Sequence, residues 1–316
     1  MAPSSPNSEC SLMSMPMPAI SLAALPGRRK TIIELASEAE KRGFAGIYLP
    51  SLGDNMSLAT ALAAITHTIP FGTAIAPLYY RAPLDFAQAA AFIHELSNGR
   101  FRFGIGVAHA PGHARFGVTA GKPLADTRAF VETIRAAERI GELPPIILAT
   151  LRKRMIALAG EIGEGMVFAN GSRSHMADSL SALPGGKKSD PDFFIGNMIP
   201  TCICDDEAAA AAVNRRTLTS YAHLPNYRNY WREAGYAEEM DGVERAIAAG
   251  EPDKVTQHLS DRWLADCTLF GCEQKVLDGL QAWYDAGIRT PILVPSSAQG
   301  NQLVAIQEMF SLCAKL

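Results

Sequence analysis

The 316-residue chain has no uninterrupted run of about eighteen apolar residues, the length a helix needs to cross a bilayer. It has little net charge, -3, and no concentrated basic stretch, which excludes the surface that nucleic acid or an anionic membrane requires. Its six cysteines, Cys10, Cys202, Cys204, Cys267, Cys272 and Cys313, have neither zinc-ribbon spacing nor the density of a small disulfide scaffold. They read as reduced core thiols of a cytoplasmic protein. Residues 1–17 have no charged n-region and no continuous apolar h-region, so they read as a flexible leader ahead of one domain over 18–316. What is present is an ordinary globular composition, 48% hydrophobic and 19% charged, in a chain long enough to bury a large core.

Along the chain, short apolar runs alternate with helical patterns. Pro18–Leu22, Phe44–Pro50, Phe71–Pro77, Phe101–Val107, Pro145–Ala149, Gly165–Phe168, Asp192–Cys204 and Thr290–Pro295 read as eight strands. Between them lie stretches with apolar residues at helical spacing, such as Ile32, Ile33, Leu35, Ala36 and Ala39, or Met155, Leu158, Ala159 and Ile162. Short connections between alternating strands and helices mean a parallel sheet, and eight such units predict a closed (β/α)8 TIM barrel. Residues 205–288 separate the seventh and eighth strands and predict a mostly helical insertion, with Tyr221, Tyr227, Tyr230 and Trp231 packing it on the barrel. Insertions after a barrel strand commonly roof the active site.

The stretch Glu95–Pro111 carries the strongest local signal. Asn98 and Gly99 close a helix, because glycine adopts the left-handed conformation at a helix end without steric cost. Phe101, Phe103, Ile105 and Val107 then alternate with Arg102, Gly104, Gly106 and Ala108. One face is bulky, and the other is nearly empty beyond Arg102. A strand gives up side chains where another group comes close, either a ligand or crowded backbone within the barrel. Gly104-Ile105-Gly106 is not a dinucleotide fingerprint, since the glycines lie inside the strand and the third glycine position is His109.

Gly72-Thr73-Ala74-Ile75, Arg81-Ala82-Pro83, Leu96–Phe101, Gly104–His109 and Pro145–Phe168, in this order, resemble the bacterial luciferase-like flavin-dependent monooxygenases. The likeness is greatest to their deazaflavin-using branch and spans roughly Ala19 to Pro295. The resemblance implies a homodimeric (β/α)8 barrel that holds FMN or coenzyme F420 at the C-terminal mouth and acts on a small organic substrate. It implies that Thr73, Ala74 and Ile75 form a bulge, often with a non-prolyl cis peptide, that backs the cofactor ring. Val107, Ala108 and His109 would meet the ring edge. Thr150, Leu151, Arg152 and Arg154, with Lys153, would start a helix whose N–H groups bind the cofactor phosphate. The same basic residues also fit a solvated face.

His109 is the candidate catalytic residue, since a strand-end histidine titrates near neutrality and faces the mouth. A metal shared by His109 and His113 is not expected, because Pro111 and Gly112 interrupt the helix that would align them and no carboxylate completes a set. Ser51, His113 and His175 are candidate substrate contacts. Ser172 or Ser174 could instead start the helix after the sixth strand, and Asp54 and Asn55 either cap a helix or face the site. The chain departs from the family at Ser51 and Leu52, where many members have an acid followed by histidine, and at Leu151, where a glycine is usual. Ser51 and Leu52 leave a second reading, a barrel that binds a flavin or metabolite without turnover, and the turn at Thr150–Arg154 a third, an unrelated barrel acting on a phosphorylated metabolite, which leaves the strand-three bulge unexplained.

Overall fold

The computed structural model describes residues 15–316, so most of the segment read as a leader, and Cys10 with it, lies outside the described residues. Nine parallel strands appear among them: β1 Ala19–Ser21, β2 Ile47–Leu49, β3 Phe71–Pro77, β4 Phe101–Gly106, β5 Ile146–Thr150, β6 Gly165–Ala169, β7 Phe194–Ile203, β8 Leu269–Gly271 and β9 Thr290–Ser296. Strands β1 to β7 pair in sequence, and β9 closes the ring by pairing with both β7 and β1. The result is the expected eight-stranded TIM barrel. Strand β8 was not expected. It adds to the far end of β7 through Thr201–Ile203, outside the ring, so the insertion carries a strand as well as helices. Three residues are too few to carry a two-residue period.

Two layers of core follow from the strand alternation. Phe71, Phe101, Phe103, Ile105 and Leu148 point outward and are buried under the surrounding helices. Ala19, Tyr48, Ala74, Ile147, Val167, Phe194 and Ile292 point inward and fill the barrel. The insertion has its own core, where Trp231 and Trp263 meet edge to face at 4.8 Å beside Tyr227 and Tyr230, seated on Cys202 and Phe270. Cys202, Cys267 and Cys313 are buried free thiols, but Cys272 is exposed at the start of the helix Glu273–Asp285, which corrects its reading as a core thiol.

The empty face of β4 is the inward face. Strand β3 bulges there: Thr73 pairs with Phe103 and Ala76 with Ile105, so three steps on β3 match two on β4. The extra residue presses the β3 carbonyls toward β4. A Cβ on Gly104 would overlap the Thr73 carbonyl oxygen and lie 2.6 Å from that of Ala74, so this glycine serves crowded backbone. Asn55 supports the bulge by donating its side-chain amide to the Ile75 carbonyl at 2.9 Å. Its neighbour Asp54 caps the helix Asn55–Ile65, accepting from Ser57 N–H at 3.1 Å. The bulge is present as expected, whereas no cis peptide bond occurs among the described residues.

One surface carboxylate pins the connection into β3. A single Glu40 oxygen accepts from the backbone N–H groups of His67, Thr68 and Ile69 at 2.7–2.9 Å. Partial burial raises the carboxyl, but the three N–H donors outweigh it and hold the group at about 2. A depressed carboxyl stabilises the fold above its unfolded value and loses that contribution as pH falls toward the folded one. Glu40→Gln should therefore cost about 1–2 kcal/mol at neutral pH, discounted for solvent screening, in urea melts. The gap to the unaltered protein should close between roughly pH 4.5 and 2.

Candidate active site

A cavity of about 1140 Å³ opens at the C-terminal ends of β3 to β6 and is roofed by the insertion. Its wall includes Ser51 after β2, Ile75 on β3, Val107, Ala108, His109 and His113 after β4, Thr150 to Arg154 at β5, and His175 after β6. Thr73 and Ala74 are not brought there. Thr73 donates its hydroxyl to the Gly104 carbonyl at 2.8 Å, and Ala74 is buried within the barrel. The bulge turns both Ala74 and Ile75 inward, and Ile75 is the one that reaches the cavity floor, beside Gly106 and Ala149.

Strand β4 delivers His109 through a strained residue. Ala108 has φ of 56°, the left-handed region that costs a non-glycine residue about 1–2 kcal/mol. His109 then precedes the helix Ala110–Phe116. That helix does form, with Pro111 in its first turn, where a proline N–H is not missed, so the expected interruption is corrected. The helix carries His113, whose Nε2 lies 2.6 Å from the Val107 carbonyl, a structural engagement. Its carrier loop is backed by Tyr79, which stacks edge-on to His113 at 5.4 Å and donates to Asp126 at 2.7 Å. The His109 ring sits against Tyr227 at 5.6 Å and Tyr221 at 6.5 Å, and has no hydrogen-bond partner among the described residues. Burial first, and the neighbouring His113 second, push its pKa below the usual histidine value, favouring the neutral ring.

Strand β5 ends in Thr150 and leads through Leu151 to the helix Lys153–Ile162. No side chain caps that helix start, so its first N–H groups face the cavity with the positive end of the helix dipole. Two of the three cations there are already engaged. Arg152 forms a forked pair with Glu233 of the insertion, with Nε to Oε1 at 3.0 Å, and Lys153 pairs with Asp178 at 2.7 Å. Arg154 is exposed and has no ion-pair partner among the described residues. The Thr150 hydroxyl is buried and likewise unpartnered.

After β6 the chain turns at Asn170, with φ of 58°. Ser172 and Ser174 do not start the following helix. Both hydroxyls bind the buried Asp266 carboxylate, and Ser172 N–H donates to the Tyr230 hydroxyl at 2.9 Å. This network fastens the loop to the insertion and holds His175 at the cavity, where its Nε2 is 3.2 Å from Asp178.

Tyr221, Tyr227, Glu233 and Asp178 complete the site without a local sequence signal. The tyrosines and Glu233 come from the insertion, and an aromatic patch at those positions reads equally as core.

Eight parallel strands around a filled interior, with a mixed polar and apolar cavity at the C-terminal mouth, define an enzyme-type TIM barrel. The sequence model described as luciferase-like monooxygenase matches residues 14–290, and the chain belongs to that family. A 5,10-methylenetetrahydromethanopterin reductase of Archaeoglobus fulgidus is 30% identical over 303 residues, covering 85% of this chain and 90% of that protein. A Mycobacterium tuberculosis protein assigned as a coenzyme F420-dependent oxidoreductase is 26% identical over 316 residues, covering 84% and 91%. Among solved structures, the coenzyme F420 dependent tetrahydromethanopterin reductase from Methanopyrus kandleri matches with a TM-score of 0.74 at 18% identity, over 93% of this chain and 98% of that one. At that identity the structural likeness speaks for the fold.

Proposed function

We propose that the chain is an oxidoreductase that holds coenzyme F420 or FMN at the barrel mouth and exchanges a hydride with a small organic substrate. The observation that carries this reading is the polarity of the cavity. A cationic, uncapped helix start at β5 faces a half-buried neutral imidazole at β4 across a floor of Ile75, Gly106 and Ala149. The residues fit such a group. A Cβ on Gly106 would come 2.9 Å from the Ala149 Cβ and 3.1 Å from Ile75, so the floor is closed and close-packed for a flat ring. A bound deazaflavin supplies two-electron hydride exchange, and FMN adds access to oxygen chemistry.

The protein's own residues do the rest. The N–H groups opening the helix Lys153–Ile162 and the Arg154 guanidinium bind the phosphate. Arg152 joins them once Glu233 is displaced, which is cheap because an exposed ion pair is worth at most about 1 kcal/mol. His109 takes or returns the proton at a ring nitrogen. Ser51 and Leu52 cannot share that work, so His109 carries it without the family's usual acid and histidine after β2. Those two residues also favour the second reading, a barrel that binds without turnover. Anaerobic absorbance of the bound cofactor separates the two. Bleaching or return of the cofactor band on adding alcohols or ketones supports the enzyme, and an unchanged band across such a series supports the binder.

We read 18–316 as one barrel domain carrying 205–288 as its roof, and the chain as a cytoplasmic homodimer. For the dimer, the support is the outer face of the helix Pro83–Leu96. Leu84, Phe92 and Leu96 are exposed along one side, beside the largely apolar helix Asn55–Ile65. We take these three large exposed apolar side chains, interspersed with Asp85, Gln88 and Glu95, as the centre of a subunit contact. Phe92→Glu should convert the dimer to monomer in sedimentation at micromolar concentration, with unchanged circular dichroism.

A further inference from the structure

The cavity is chemically divided. Every cation on its wall lies at the β5 helix start, and its two carboxylates, Asp178 and Glu233, are tied to those cations. The part of the wall formed by the end of β4 and by residues 221–227 holds His109, Tyr221, Tyr227, Leu224 and Pro225 and bears no charged side chain. Tyr221 and Tyr227 meet edge to face at 5.0 Å, and both rings contact His109, so three rings form one corner. Behind the corner stands Asn170, 4% exposed, its amide beside both tyrosine hydroxyls and its nitrogen without an acceptor in hydrogen-bond geometry. The corner thus presents to the cavity the His109 ring nitrogens and the Tyr221 hydroxyl, with the Asn170 amide buried behind that hydroxyl. Buried polar groups are ordinarily satisfied, and a group left open at a cavity is satisfied by what binds there.

We propose that the insertion builds the substrate wall, and that Tyr221 and His109 together hold the hydroxyl or carbonyl oxygen of an uncharged, largely apolar alcohol or ketone. The inference rests on the hydride-exchange reading above. A carboxylate substrate would lose its hydration against this wall and, with the β5 cations held by the phosphate, find no opposite charge, whereas an uncharged molecule with one oxygen meets apolar surface and a donor–acceptor pair. In the oxidising direction the carbinol C–H bond breaks with its electron pair passing to the oxidised flavin or deazaflavin. The hydroxyl proton passes to His109 and the C=O double bond forms. In reverse, His109 would return the proton to the carbonyl oxygen as the carbonyl carbon regains a hydride from the reduced cofactor. Tyr221 orients the oxygen throughout and exchanges no proton. Tyr227 and Asn170 are positioning residues, holding the Tyr221 ring and hydroxyl.

Calorimetric binding to the cofactor-free protein, with inorganic phosphate at saturating concentration to occupy the cationic helix start after β5, tests this without turnover. The probes are benzylacetone, its hydrocarbon counterpart butylbenzene, and the carboxylate hydrocinnamate. Benzylacetone should bind, hydrocinnamate at least about tenfold more weakly, since an unpaired buried charge costs more than a lost hydrogen bond. Tyr221→Phe should weaken benzylacetone by about three- to tenfold and leave butylbenzene unchanged, the signature of a lost hydrogen bond in an intact wall. Equal loss of both would make Tyr221 structural and overturn the proposal. So would hydrocinnamate binding as well as the ketone, or no binding of the ketone at all. A cofactor titration on the same sample separates the two levels. If the ketone depends on Tyr221 but neither F420 nor FMN binds, the redox reading fails and the wall stands; if a cofactor binds and the ketone ignores Tyr221, the reverse holds.

Discussion

Gly104→Ala should leave little folded protein, with an expected loss of about 3 kcal/mol or more in chemical melts of whatever remains soluble. Most glycine-to-alanine changes cost far less, because the added methyl meets a side chain that rotates away. Here it meets the carbonyl oxygens of Thr73 and Ala74, which are backbone and are fixed by the bulge. The Thr73 hydroxyl also donates to the Gly104 carbonyl at 2.8 Å, and Asn55 fixes the Ile75 carbonyl from the other side. Relieving the overlap means undoing the bulge, which would return Ile75 to the outer face and remove the cavity floor. Gly104→Ala should accordingly abolish ligand binding in any soluble fraction. A melt within about 1 kcal/mol of the unaltered protein would mean that β3 does not bulge against β4.

His109→Ala should lower the hydride-transfer rate by about 10²–10⁴-fold, the usual contribution of a positioned acid or base, with little change in cofactor affinity. The pH profile is the sharper signature. Burial and the nearby His113 lower the His109 pKa, so alcohol oxidation, which needs the neutral ring, should hold constant down past about 6.5. The rate should fall only as pH drops through the lower folded value. In His109→Ala the residual rate should lack that acid limb. A variant that keeps the limb would assign it to another group.

The barrel was legible because its period is repeated eight times, and a misjudged boundary in one unit does not change the count. The β4 stretch was legible to the residue: an empty inward face is a direct statement about steric room, although whether backbone or ligand fills it needed the structure. Gly104 serves the first and Gly106 borders the cavity. What could not be read was anything that depends on an irregularity. A bulge shifts every later residue by one step, so alternation alone does not say whether Ala74 or Ile75 faces the mouth. Pro111 was read as a helix breaker when its place in a first turn makes it a helix starter, a signal that was available. The charge at β5 was legible, its compensation was not, since Glu233 lies 81 residues from Arg152. The tyrosine corner is similar: it forms only when the insertion folds back over β4 and β6.

Equilibrium titration of the purified protein with coenzyme F420 and with FMN, followed by cofactor fluorescence and absorbance, tests the central claim most directly. Saturable micromolar binding of at least one, weakened by Arg154→Ala and by salt, is the expected result, since the phosphate is held by exposed charge and a helix start. No binding of either at high micromolar concentration would mean that the mouth of this barrel, despite its helix start and its neutral histidine, does not serve flavin chemistry.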